Sequence, residues 1–239
     1  MEIDRFFYKL YLADAQREPV SFLGSAFPIA PGGGLLTCRH AVEVEVPDGH
    51  AIAVLDPSAS ALSPIAQPPV LIPDRGTDMA FLPNALAQSK TEFFPILSPQ
   101  QLQVGSDVFC FGFFSIGRGV ADVERGYFAG KIVNLFGAPC QASMLLPFPV
   151  LEGMSGSPVL TYHNGPKLVG LAIGNRSSRI LASEVLEFKD EKREVKETVS
   201  RIVEFGVAYD PVSIIRFLAV AGVKGSIVSH DRVDGLGLE

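Results

Sequence analysis

The chain has 239 residues and a formal net charge of −6, and with a pI near 5.3 it carries no electrostatic footprint for nucleic acid. Hydrophobic residues make up 47% and charged ones 19%, which is ample for a real core. No run approaches the roughly 18 apolar residues of a membrane span; the longest, Met144 to Leu151, is broken by Pro147 and Pro149.

With 23 glycines and 18 prolines the chain turns often, which suits many short strands better than a helical bundle. The three cysteines, Cys38, Cys110 and Cys140, cannot all pair with one another and read as small buried hydrophobes. None lies in a C-x-x-C, and the histidines show no H-E-x-x-H spacing, so neither a metal site nor a cofactor is expected. The opening M-E-I-D-R-F-F-Y-K-L mixes charges into its apolar run, unlike a signal peptide. These features predict a soluble, cytoplasmic chain with free thiols.

In chain order, Phe6 to Leu12 reads as a first strand or pairing arm, and Arg17-Glu18-Pro19 as a turn. Ser21 to Pro28 alternates large and small residues, as a strand packed on a close neighbour does. Pro31 to Gly34 is a turn, and Leu35 to Cys38 a strand running into Arg39-His40-Ala41-Val42. Ala51–Leu55 and Val70–Ile72 are short strands around a Pro/Ser/Ala-rich loop from Asp56 to Pro69. Asp78-Met79-Ala80-Phe81-Leu82 is a brief apolar strand opened by an acid. The polar stretch Pro83 to Gln103 carries a boundary between an N-terminal lobe (1–90) and a C-terminal lobe (91–239).

Strand signals resume at Val108–Phe113, Gly126–Leu135 and Ser143–Leu146. Val159–Tyr162 and Lys167–Ile173 flank Asn164-Gly165, a strong hairpin turn. A charged insertion covers about 182–204, with E-F-K-D-E-K-R-E-V-K-E from Glu187 to Glu197. Val195, Val199 and Ile202 are helix-spaced, while the symmetric flanks suit an exposed hairpin turning near Asp190, the reading preferred here. Such a run is usually a solvated face; the sharper alternative is a docking arm for a regulatory protein partner or a flap over the cleft. Phe205–Tyr209 is a strand. Asp210-Pro211 then caps and opens a helix over about 211–221, with Ile214, Ile215 and Leu218 on its apolar face.

The chemistry centres on Leu151 to Leu160, L-E-G-M-S-G-S-P-V-L, where Ser155 stands in a glycine turn. Alone it reads either as a loop or as a nucleophile beside backbone N–H groups aimed at a developing oxyanion. A nucleophilic serine needs a base and a group that orients the base. His40 at a strand end and Asp78 at a strand start are the candidates, with Asp74 the rival acid. His50, His163 and His230 read as surface residues.

These stretches together resemble the trypsin-like serine proteases of the chymotrypsin fold, in their disulfide-free bacterial form. Gly24-Ser25-Ala26-Phe27 with Leu35 to Val42 resembles G-x-G-F and L-L-T-A-A-H-V, and Thr77 to Leu82 resembles the D-L-A-L-L strand. Gly153 to Val159 resembles G-D-S-G-G-P-V, and Leu168 to Ile173 the cleft-lining V-V-G-I strand. The order His, Asp, Ser is also that of the family. The resemblance implies an all-β fold of two six-stranded antiparallel barrels with a C-terminal α-helix. It implies a serine endopeptidase acting on protein or peptide: His40 as general base, Asp78 as its orienting acid, Ser155 as nucleophile, and the N–H groups of Gly153 and Ser155 as oxyanion hole.

The departures are specific. Ser25 replaces a common glycine, and Cys38-Arg39 replace a small pair; an arginine there needs solvent or a carboxylate. Met154 stands where digestive members carry an aspartate that captures a new N-terminus, and Pro149 where trypsin carries its specificity aspartate. Pro149, Ala172, Ile173, Gly174 and Asn175 therefore imply a substrate pocket for apolar or small residues. The alternative function is a catalytically weak protease-fold binding or regulatory module. A lipase-like esterase fails locally, because Ser157 occupies the second glycine position of G-x-S-x-G.

Overall fold

A computed structural model describes residues 3–30, 32–57, 62–72, 76–86, 92–117, 122–135, 143–162, 164–189 and 192–223. A short 3-10 turn, Ile3–Phe6, leads into β1 (Tyr8–Ala13), β2 (Pro19–Ala30) and β3 (Gly34–Thr37). A second 3-10 turn, Arg39–Ala41, is followed by β4 (Ala51–Leu55), β5 (Leu62–Pro64), β6 (Val70–Leu71) and β7 (Ala80–Leu82). The second half comprises β8 (Asp107–Ser115), β9 (Val123–Lys131), β10 (Asn134–Leu135), β11 (Met144–Leu146), β12 (Pro158–Tyr162), β13 (Pro166–Lys189) and β14 (Lys192–Tyr209), and ends in α1 (Pro211–Val220).

The strands form two sheets of seven, ordered β5-β4-β1-β2-β3-β7-β6 and β10-β11-β14-β13-β12-β8-β9. The expected all-β, chymotrypsin-like architecture with its terminal helix holds, but each sheet has seven strands where six were expected. Both sheets carry marginal strands at their edges: β10 has two residues in the second, and β5 has three and β6 two in the first. Pro64, Pro68 and Pro69 interrupt the ladder there, since proline donates no hydrogen bond. β5 also lies inside the stretch read from sequence as an unbroken loop. No pairing joins the two margins of either sheet among the described residues, so the sheets are half-barrels.

The N-terminal half of β2 is partly exposed, whereas everything from Gly24 to Ala30 is buried. Gly24, Ser25 and Ala26 are small enough for other backbone to approach, and Ser25 N–H donates to Ser155 O at 3.0 Å. One core cluster joins Leu10, Phe27, Leu35 and Leu36 to Leu160, Leu171 and the helix residues Ile214 and Phe217. A second gathers Val108, Cys110, Met144, Met154 and Val159. The cap of α1 is as read from sequence: the Asp210 carboxylate accepts from Ser213 N at 2.8 Å, with Pro211 in the first turn.

The charged insertion is a hairpin, with cross-strand partners from Leu171↔Tyr209 to Lys189↔Lys192. Its expected turn at Asp190 lies outside the described residues, as do Asp74, Cys140, His163 and His230. Cys38 and Cys110 are free and buried, as expected. No helix among the described residues is long and apolar enough to cross a membrane.

Candidate active site

β3 ends at Thr37, and Cys38 stays extended before the chain turns into the 3-10 segment that carries His40. Asp78 sits two residues before β7, which pairs with β3 through Thr37↔Ala80. This register brings the two side chains together. Asp78 Oδ2 lies 2.6 Å from His40 Nδ1, and Asp78 Oδ1 accepts from His40 N–H at 2.9 Å. One carboxylate thus holds both the ring and the backbone of the histidine. Asp78 is held in turn, its N–H donating to the buried Tyr209 hydroxyl at 2.6 Å. Tyr209 belongs to β14, so a strand of the second sheet positions the acid beside β7 of the first.

Arg39 finds the carboxylate its position demanded. Its Nε and Nη2 donate to Glu43 at 2.7 and 2.8 Å, and Nη1 donates to Ile72 O at 3.3 Å. The Glu43 hydrogen bonds hold its pKa above the ordinary arginine value. Burial, and then the charge of Asp78, push the Cys38 thiol well above its usual range, so it is a neutral S–H.

The serine loop is built from two glycines with left-handed backbone, Gly153 at φ +90° and Gly156 at φ +88°. A Cβ on Gly156 would lie 2.0 Å from Ser25 O and 2.5 Å from Thr37 Oγ1, so no side chain fits. Ser25 Oγ donates to Gly153 O at 3.0 Å and accepts from Phe113 N–H at 3.1 Å. The Glu152 carbonyl accepts from Ser115 N–H at 3.0 Å. Because a trans peptide sets its C=O and N–H in opposite directions, this contact turns Gly153 N–H the other way. Among the described residues, neither Gly153 N–H nor Ser155 N–H donates to a protein acceptor. Met154 is fully buried in the second core, so an apolar contact fills the position where digestive members carry an acid.

Ser155 and His40 line one cavity of about 590 Å³, shared with Val20, Phe22, Leu23 and Glu152. The Ser155 hydroxyl donates to Ile173 O at 3.1 Å, and among the described residues it is not bonded to His40. None of the five expected pocket residues lines this cavity. Ala172 is buried, its carbonyl accepting from Gly156 N–H at 2.8 Å. Asn175 clasps Val150 with two hydrogen bonds, accepting from its N–H at 2.6 Å and donating to its carbonyl at 2.8 Å. Pro149 adjoins that clasp in sequence, and Gly174 follows Ile173 on β13.

The profile of the trypsin-like peptidase domain matches residues 24–171, a span of 148 of the 239 residues (171 minus 24 plus 1). The chain belongs to the trypsin-like peptidase domain family. His40, Asp78 and Ser155 all fall inside the matched span. Among solved structures, the HtrA-type protease AlgW with a tripeptide is similar, with a TM-score of 0.52 and 16% identity over 92% of this chain. A variant of AlgW with a decapeptide gives a TM-score of 0.51 and 14% identity over 91%. The alignments take in only 62% and 63% of those chains, and at such identity the likeness is one of fold. No curated protein sequence matches.

Proposed function

We propose that this trypsin-like peptidase domain is a serine endopeptidase that cleaves protein or peptide substrates through an acyl-enzyme. The observation that carries the reading is the double attachment of Asp78 to His40 beside the cavity His40 shares with Ser155. In this mechanism the Ser155 hydroxyl leaves the Ile173 carbonyl and turns to His40, which takes its proton as Oγ attacks the scissile carbonyl. Asp78 holds Nδ1–H and stabilises the imidazolium, and His40 then protonates the departing amine. The N–H groups of Gly153 and Ser155 receive the oxyanion, and water on His40 completes deacylation.

Selection of small or apolar side chains is assigned in this proposal to Pro149 and the segment Ala172-Ile173-Gly174-Asn175, which lie outside the cavity shared by His40 and Ser155; support comes from the Ser155 hydroxyl's contact with Ile173 O. The catalytic groups come from two lobes, 1–90 and 91–239, a division supported by the confinement of one sheet to residues 8–82 and the other to 107–209. The segment 187–197 at the hairpin tip is the proposed seat of a regulatory protein partner. The free thiols of Cys38 and Cys110 favour a cytoplasmic setting.

Labelling with a fluorophosphonate probe tests the reading: wild type is expected to label at Ser155, and Ser155→Ala to remain unlabelled. The second reading, a protease-fold binding module with little turnover, is favoured by the Ser155 hydroxyl resting on Ile173. Absence of labelling in wild type, with peptide present or not, would decide for the binding module.

A further inference from the structure

The proposed hydrolysis leaves one nucleophilic group at the site without a task. Cys38 occupies a position where the family pattern has a small residue, and its side chain is wholly buried. Its S–H donates to Ala172 O at 3.4 Å. One ligand atom each from Cys38, His40 and Asp78 lie within 4.8 Å of one another. A thiol, an imidazole and a carboxylate so disposed are the donor types of a zinc site with an open fourth position.

We propose that Cys38, His40 and Asp78 bind a thiophilic divalent cation, zinc foremost, as a reversible inhibitor of the proposed triad. Zinc bonds of about 2.0–2.3 Å place tetrahedral ligands about 3.3–3.8 Å apart. The widest separation must therefore close by about 1 Å or a little more, and the 2.6 Å contact between His40 and Asp78 must open by less than that. Half of the His40 side chain is exposed, so the ring has room to move. Of the three ligands, His40 also lines the cavity shared with Ser155, and water from that cavity would complete the shell.

The charges balance. A dication meeting one thiolate and one carboxylate forms a neutral unit, so its burial carries little of the penalty of an isolated charge. The thiol proton leaves to solvent, and the proton on His40 Nδ1 moves to Nε2 so that Nδ1 presents its lone pair. A mixed S, N and O donor set favours zinc over magnesium or calcium, which take all-oxygen sites. Bound metal replaces the hydrogen bond through which Asp78 orients the base. Binding is independent of the protease reading; only the inhibition rests on it.

Cobalt(II) titration of the full chain, followed through thiolate-to-cobalt charge-transfer absorption, tests the site without requiring activity. Wild type and Ser155→Ala are expected to develop the band at one equivalent and lose it to zinc. Cys110→Ala should behave like wild type. Cys38→Ala should lack the band, and His40→Ala, at a half-exposed position that spares the fold, should bind at least about tenfold more weakly. Wild-type fluorophosphonate labelling should fall with zinc and recover with chelator, while Cys38→Ala, against its own metal-free rate, is at least about tenfold less sensitive. No band in wild type, or a band that survives Cys38→Ala, overturns the site. A band without labelling in any variant leaves the metal site standing and removes the protease reading instead.

Discussion

The Ser25 hydroxyl donates to the Gly153 carbonyl at 3.0 Å, tying the middle of a first-sheet strand to the serine loop of the second half. The same oxygen accepts from Phe113 N–H at 3.1 Å, and the Ser25 backbone N–H donates to Ser155 O at 3.0 Å. One side chain thus pairs with two backbone groups, one buried and one partly buried. Ser25→Ala should lower stability by about 1–3 kcal/mol, the usual cost of orphaning buried polar groups. Denaturant unfolding measures that loss. If the contact also holds Gly153 in place, the rate of fluorophosphonate labelling should fall at least about tenfold, equivalent to about 1.4 kcal/mol in the transition state. A variant as stable and as reactive as wild type would deny Ser25 this role.

The Tyr209 hydroxyl accepts from Asp78 N–H at 2.6 Å, at the end of the strand that leads into α1. Tyr209→Phe keeps the buried ring and removes the acceptor. Asp78 should then orient His40 less well, lowering kcat with little change in KM. Asp78→Asn should be far more damaging, approaching the roughly 10⁴-fold loss seen when the orienting acid of such a triad is neutralised. Equal kcat in Tyr209→Phe and wild type would mean that the His40–Asp78 pair stands without help.

Much of this was legible in the sequence because local chemistry dictated it. His40, Asp78 and Ser155 lie at element ends with distinctive neighbours, and Asp210-Pro211 marks its helix by capping alone. What was not legible depended on contacts between remote segments. Ser25 registered only as a departure from glycine, because its partners, Gly153 and Phe113, are 128 and 88 residues away. Tyr209 gave no signal, since nothing in a strand tyrosine reveals that its hydroxyl meets a backbone amide of the other sheet. Leu62–Pro64 was lost in a proline-rich loop because a three-residue strand has no visible period.

Alkaline pH should expose the two buried thiols. Burial pushes Cys110 up to about 12 from an ordinary 9.0, and Cys38 also lies well above its usual value. Below pH 9 both thiols are protonated in folded and unfolded chains, so their full contribution is present. Above it the unfolded chain loses protons that the folded one keeps, and stability falls as pH rises toward 12. Each thiol contributes a slope of up to about 1.4 kcal/mol per pH unit. Chemical denaturation from pH 8 upward should show a shallower decline in Cys110→Ala than in wild type. Parallel slopes would mean that the thiol ionises without cost to the fold.

The hairpin formed by β13 and β14 continues far past the sheet that anchors it. Pairing of β12 with β13 reaches only Leu171, and pairing of β11 with β14 only Gly206, yet the two long strands stay in register to Lys189↔Lys192. From Asn175 to Lys189 at about 3.3 Å per residue, the ribbon extends about 50 Å with no third strand among the described residues. A two-stranded ribbon alone is marginally stable in water. Hydrogen-exchange protection should therefore fall from its base toward its tip. Replacing residues 187–197 with an Asn-Gly turn should shift unfolding free energy by no more than about 0.5 kcal/mol, as for surface changes generally. If the segment seats a regulatory partner, that deletion should abolish the partner's effect on peptide turnover while labelling of Ser155 persists. Large destabilisation would instead make the ribbon part of the fold, and an undiminished partner effect would place the regulatory contact elsewhere on the chain.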